Sequence, residues 1–173
     1  WAAAEDDTKQ GIYSASYYTI MHSESIDGIT WEKPVDIIYD GQRLDIIKTL
    51  ATPFGLHLFW NSDCVRHAMV EKGRDPNNAQ TWMSSQKCVA PRSIPEGIAV
   101  TSDDNGEIYL VYSTGDSLDL QTSLDSGLTW DAPTTISLAQ ESGGAAIVAY
   151  PAIAVFGEYV YVIWSASASA AQD

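Results

Sequence analysis

Short apolar runs, bounded by Gly, Asn, Asp, Ser and Thr, recur along the chain at a spacing too regular for independent strands. Three of them line up as strand endings: Leu56-His57-Leu58-Phe59-Trp60, Ile108-Tyr109-Leu110-Val111-Tyr112 and Val160-Tyr161-Val162-Ile163-Trp164. The steps from Trp60 to Tyr112 and from Tyr112 to Trp164 are both 52 residues, and Trp1, 59 residues before Trp60, fits the same slot. A second landmark, Thr-Trp, recurs out of phase with the first at Thr30-Trp31, Thr81-Trp82 and Thr129-Trp130, spaced 51 and 48. The clearest unit predicts a strand over Gly97-Ile98-Ala99-Val100, a hairpin turn at Asp104-Asn105-Gly106 and a second strand over Ile108–Tyr112. A third strand follows near Leu118–Thr122, then a turn over Ser123–Thr129 and a fourth strand from Trp130 to about Ile136. No helix is needed anywhere.

Four antiparallel strands repeated every 50 or so residues describe an all-β propeller blade, because radial repetition buries both faces of each small sheet against its neighbours. A β-sandwich is the alternative, but it does not require landmarks to share one period. The chain reads as one propeller segment over 1–173: the third and fourth strands of a first blade over about 12–38, blades over about 47–89 and 97–137, and the first two strands of a last blade over about 152–164. Its end, Ser165 to Ala170, reads as an edge strand trailing into linker. These pieces amount to about three blades. Either the segment belongs to a longer chain or two copies combine head to tail, and the two edges should each meet another strand. The start at Trp1, inside a strand ending, points to a missing upstream segment.

Ser123-Leu124-Asp125-Ser126-Gly127-Leu128-Thr129-Trp130 fits S-x-D-x-G-x-T-W at every fixed position. This closely resembles the Asp box, or BNR repeat, of sialidases and of many non-enzymatic propellers. Asp75 to Trp82 is a degraded copy, with Asn77 where Asp belongs and Ala79 where Gly belongs, and Ser25-Ile26-Asp27-Gly28-Ile29-Thr30-Trp31 is a variant one residue shorter. The motif has a structural logic: Asp and Ser side chains bond turn backbone, Gly supplies a positive φ, and Trp anchors the turn by burying its ring. The resemblance implies a structural role for these residues and a six-bladed ring. Trp31, Trp82 and Trp130 are then expected in equivalent buried positions.

Charge narrows the partners. Nine Lys and Arg against 23 Asp and Glu give a formal charge of −14, which repels nucleic acid and anionic lipid, and no apolar run approaches the roughly 18 residues a membrane span requires. The acidic, Lys-poor, Ser/Thr/Tyr/Trp-rich composition suits a secreted or cell-surface protein. The expected partners are a glycan or protein ligand together with the remaining blades of the same chain or a second copy.

Ligand chemistry is expected on the face carrying the second-to-third-strand and blade-to-blade connections, which hold Asp40, Gln42, Arg43, Asp45, Asn61, Ser62, Asp63, Arg92, Glu96, Asp116, Asp119 and Glu141. Arg43, Asp63, Arg66, Arg92, Glu96 and Asp116 are the binding candidates. A sialidase-like site implies three arginines clamping a carboxylate, a Tyr nucleophile with its Glu, and an acid/base Asp. Arg43, Arg66 and Arg92 are the arginines available for that clamp, but Pro91-Arg92-Ser93-Ile94-Pro95 interrupts the family's Arg-Ile-Pro element with Ser, and Arg66 falls on a strand where solvation is the default. The tyrosines occupy packing positions such as Tyr109 and Tyr161. His22, His57 and His67 lack metal-ligand spacing, and Asp103 to Glu107 reads as a hairpin turn in place of a calcium loop. No metal or cofactor is expected. Two function classes remain: a non-catalytic extracellular module that binds glycan or protein or serves in assembly, and a sialidase-type glycoside hydrolase whose other catalytic residues lie outside this segment.

Cys64 and Cys88, the only cysteines, sit at opposite ends of one predicted hairpin. A register of constant sum 152 sets Cys64 opposite Cys88 and Val70 opposite Trp82, which makes a disulfide geometrically possible. Two buried free thiols are the alternative in a reducing compartment.

Overall fold

A computed structural model of the 173-residue chain describes residues 2–4, 18–41, 44, 46–95, 97–138 and 146–168. Among these the chain is mostly β, arranged as four antiparallel sheets in chain order. The first comprises β1 (Ala2–Ala4), β2 (Tyr18–His22) and β3 (Val35–Asp40). The second comprises β4 (Ile46–Thr52), β5 (Gly55–Asn61), β6 (Cys64–Glu71) and β7 (Lys87–Pro91), with α1 (Ala79–Ser85) inserted before β7. The third comprises β8 (Ile98–Ser102), β9 (Ile108–Ser113), β10 (Ser117–Ser123) and β11 (Thr134–Leu138); the fourth pairs β12 (Ala146–Phe156) with β13 (Tyr159–Ala168). Every strand pairs with its neighbour in sequence, so each sheet is a meander. The readings at Trp1, 12–17, Gln42, Arg43, Asp45, Glu96, Glu141, Ser169 and Ala170 fall outside the described residues.

The middle strands explain the near-continuous apolar runs, since a strand buried on both faces has no polar side to alternate. Leu58 and Trp60 join Ala68, Val70 and Trp82 against Ile20, Ile37 and Ile38 of the first sheet. Phe59 and Val65, of opposite parity on their strands, face Ile98, Ile108, Leu110 and Tyr112 of the third sheet. Val111 and Leu118 then meet Val148 of the fourth. Three cores thus lie between successive sheets, and a fully buried Leu, Ile or Phe in them contributes about 1.5–3 kcal/mol. From the second sheet onward the backbones of successive sheets approach at their first strands, β4 against β8 and β8 against β12, whereas the first sheet meets the second through β3 and α1.

The expectation of strands alone fails at α1. Asn78 adopts an extended conformation and its side chain accepts from the Gln80 amide at 3.0 Å, the N-cap geometry that starts a helix. With Ala79 in the glycine slot, nothing supplies the positive φ that the turn motif needs, and seven residues form about two helical turns. Asn77 does not take the place of an Asp. It bonds His22 (3.2 Å) and Glu24 (3.1 Å) across to the first sheet.

The three tryptophans are not equivalent. Trp82 sits on α1 at 1 % exposure, Trp130 is partly buried in a loop, and Trp31 is 62 % exposed. Trp82 and Trp130 each bury against the sheet preceding their own, whereas no described sheet stands on that side of Trp31. In the third sheet the last strand begins at Thr134, four residues after Trp130. The Asp131 amide still bonds the Thr122 carbonyl of β10 at 2.9 Å, but Pro133 has no amide to continue the ladder.

Cys64 and Cys88 form a disulfide with Cα atoms 5.9 Å apart, but not through the expected register. Cys64 pairs with Pro91 and Arg66 with Cys88, with a bulge between Val65 and Arg66. Position sums of 155 before the bulge and 154 after it replace the uniform 152, because α1 takes up chain that a plain hairpin would have placed in its strands.

Candidate functional site

The β5–β6 hairpin brings together two of the binding candidates, Asp63 and Arg66. The Arg66 guanidinium donates from Nε to Asp63 Oδ1 at 2.9 Å and from Nη2 to Asp63 Oδ2 at 3.0 Å, a two-pronged pair. That bond, with the Ser62 hydroxyl, holds the Asp63 carboxyl below its ordinary range. Behind the pair lies Asp40, 7 % exposed, whose Oδ2 is 3.9 Å from Arg66 Nε and accepts from the Trp60 indole at 2.9 Å. Arg66 is therefore engaged by two carboxylates of its own chain, in place of the solvated arginine that its strand position suggested. Its guanidinium is not presented for a clamp on a ligand carboxylate.

Asp116 is exposed between β9 and β10, Arg92 is exposed directly after Pro91, the residue that pairs with Cys64, and Arg43 and Glu96 lie outside the described residues. Asp63, Cys64 and Cys88 come within metal-binding distance of one another, but the sulfurs are bonded to each other and the carboxylate to Arg66, which leaves no ligand set. Asp103 turns both carboxylate oxygens onto its own loop, accepting from the Asn105 and Glu107 amides at 3.0 and 2.8 Å and from Asn105 Nδ2 at 3.0 Å.

Beneath this face runs a set of buried polar ties. Asn61 donates to the Ser93 carbonyl at 2.9 Å and accepts the Ser93 amide at 3.0 Å, and Ser93 Oγ donates to the Ser113 carbonyl at 2.8 Å. Ser113 Oγ in turn donates to the Val148 carbonyl of β12. Asn61 and Ser113 stand 52 residues apart, each directly after its landmark aromatic. They tie each middle strand to the chain entering the next sheet. Sequence reading placed Asn61 among ligand candidates; the structure spends it on the scaffold.

The opposite face is formed by the tight turns. In the 123–130 turn Ser123 Oγ donates to Asp125 Oδ1 (2.9 Å) and accepts the Gly127 amide (2.7 Å), while Asp125 Oδ1 accepts the Thr129 amide (2.7 Å). The 25–30 turn repeats that circuit with one residue fewer. Ser25 Oγ donates to Asp27 Oδ1 (3.0 Å) and accepts the Gly28 amide (2.9 Å), and Asp27 Oδ1 accepts the Ile29 and Thr30 amides (2.8 and 2.7 Å). Gly28 and Gly127 hold φ of 71° and 85°, the left-handed region closed to most side chains. The Thr30 and Ile29 amides, aided by Ser25, lower the Asp27 pKa to about 2. At Asp125 burial pushes upward, but the Thr129 hydroxyl and amide and the Ser123 hydroxyl outweigh it and hold the carboxyl low.

Both carboxylates are thus engaged by their own turns, as suits a structural role. Asp125→Ala is expected to lower stability by about 1–2 kcal/mol, read as a shift of the urea midpoint at constant m.

Clefts among the described residues open on this turn face. One of about 350 Å³ lies between α1 and Leu128, lined by Glu71, Arg74, Asn78, Gln80, Thr81 and Ser84 among others. Others flank the 25–30 turn and the β4–β5 turn.

Also on this side, and missed in the sequence because the residues are ten apart on separate strands, His57 and His67 meet at 3.0 Å between Nδ1 and Nε2. Their shared parity across the β5–β6 hairpin, where His67 pairs with Phe59 and His57 with Met69, is the signal that locates them on one face. Comparison with known proteins returns no matching family model, no matching curated protein and no matching solved structure.

Proposed function

We propose that this chain is part of an Asp-box β-propeller that acts outside the cell as a non-catalytic module for glycan or protein binding or for assembly. The observation that carries the reading is the shared hydrogen-bond circuit of the 25–30 and 123–130 turns, built by Ser, Asp, Gly and Thr at matching places in two sheets. Serial face-to-face sheets with adjacent first strands support the blade arrangement, and the disulfide suits an oxidising compartment. Against catalysis stands the engagement of Arg66 by Asp63 and Asp40.

The outer sheets leave Ile26, Ile29 and Trp31 exposed at one end of the series and Phe156, Tyr159, Tyr161 and Ile163 at the other. Further blades, of the same polypeptide or of a second copy, suit these apolar faces. The function is tested by presenting the chain to a glycan array and to a fluorogenic sialoside. Glycan capture without turnover supports the reading. Turnover that Asp63→Ala and Arg66→Ala abolish overturns it.

A further inference from the structure

The two buried histidines stand where the third sheet's turn seats on the second sheet. His57 and His67 are both 0 % exposed, and their rings are stacked at 5.3 Å. Gly127 comes so close to them that a Cβ there would lie 2.5 Å from His67 Cε1. Ser126 holds φ of 55° to place its hydroxyl 3.4 Å from His57 Nε2, and Thr52 Oγ1 lies 3.1 Å from both. Phe59 and Trp130 cover His67 from the other sides, at ring distances of 4.7 and 5.8 Å. The seat of the turn is thus built on imidazoles and hydroxyls.

That construction accommodates two neutral rings and no more. Between the facing nitrogens 3.0 Å apart there is room for one proton, donated by one ring and accepted by the other. The outward nitrogen of His57 has Thr52 and Ser126, whereas Nδ1 of His67 has no hydrogen-bond partner. An added proton therefore creates a buried cation with an N–H lacking an acceptor, or sets two N–H groups against each other. Either costs far more than the same proton on an exposed ring. Stacking of a protonated His67 on Phe59 offsets only a fraction of that cost.

Among the described residues, Lys87 of β7 is the charged group that bears on the pair, and Asp125 of the turn bears on Lys87. Lys87 donates to the Leu128 carbonyl at 2.6 Å and adds repulsion to a protonated His67. Asp125 is committed to Ser123 and Thr129. β4 contributes only the neutral Thr52.

We infer that this histidine pair is an acid-sensitive latch, and that proton uptake by either ring releases the 123–130 turn from the second sheet. The direction follows from linkage. Burial lowers the His57 pKa to about 4 and, with the charges of His57 and Lys87 adding to burial, lowers that of His67 to about 3, both from 6.5. The released rings bind protons more tightly than the seated ones, so the closed form is fully stable above about pH 6.5 and is progressively lost as pH falls toward 4. Asp27, Asp63 and Asp125, all lowered from 3.8, lose their contributions only below this window.

The test is hydrogen exchange of the whole chain by mass spectrometry, corrected for the intrinsic pH dependence and read on peptides spanning 123–131. Between pH 7.5 and 4.5, protection there should fall at least tenfold relative to peptides of the first sheet and return on neutralisation. In His57→Gln/His67→Gln the pH dependence of protection should vanish, whatever its absolute level. Constant protection in the native chain, or an equal acid loss in the variant, overturns the latch. Should the variant fail to fold, imidazole NMR of the native chain decides. Ring protonation in step with loss of protection supports the latch, and release of the turn while both rings stay neutral overturns it.

Discussion

Trp82→Ala is expected to destabilise the chain by about 3–5 kcal/mol, and Trp31→Ala by less than about 0.5 kcal/mol, although both tryptophans follow Thr in related sequence contexts. Trp82 is 1 % exposed and packs with Ile37, Ile38, Trp60 and Val70. Its indole donates to the Pro76 carbonyl at 2.8 Å, so truncation leaves both a cavity and an unpaired carbonyl. Trp31, 62 % exposed, has little contact to lose. Urea unfolding of the two variants measures the contrast. Equal losses would mean that the first sheet is covered on its Trp31 side, and the exposed face at Ile26, Ile29 and Trp31 would then be an internal interface.

The second large effect is expected at the disulfide. Replacing both Cys64 and Cys88 with Ser should cost roughly 3 kcal/mol, because the bridge restricts a loop with a sequence separation of 24 residues in the unfolded chain. The loss concerns the sheet that lacks the turn motif: α1 occupies that place, and the short β6–β7 ladder is interrupted by a bulge. The measurement is the urea midpoint of the double variant against the oxidised parent, with the reduced parent as a check on packing changes. A midpoint shift below that of Asp125→Ala would assign the stability of this sheet to α1 and its Trp82 core.

The physics of burial decides which parts of this architecture the sequence exposes. β5 and β9 are legible because strands covered on both faces need apolar residues at successive positions, and their aromatic endings recur at 52 residues. The 25–30 and 123–130 turns are legible because Ser, Asp, Gly and Thr act within one loop, through contacts two to four residues apart. α1 was hidden by the partial match at Asp75 to Trp82, where loss of Gly changes the backbone outcome while Thr-Trp remains in place. Trp31 misled for a different reason: its burial depends on a neighbouring sheet and not on its own segment. The histidine pair depends on which faces meet across the β5–β6 strands, and the Arg66–Asp63–Asp40 cluster on how the first and second sheets meet.

The blade arrangement is tested most directly by an experimental crystal structure of the chain. β4, β8 and β12 are expected to stand side by side around one axis, with the second, third and fourth sheets fanning outward from it by successive rotations of about 60°, the step of a six-bladed ring. The 25–30 and 123–130 turns would lie on the same end of that axis. Sheets stacked in parallel layers without a common axis, or turns 25–30 and 123–130 at opposite ends, would contradict it.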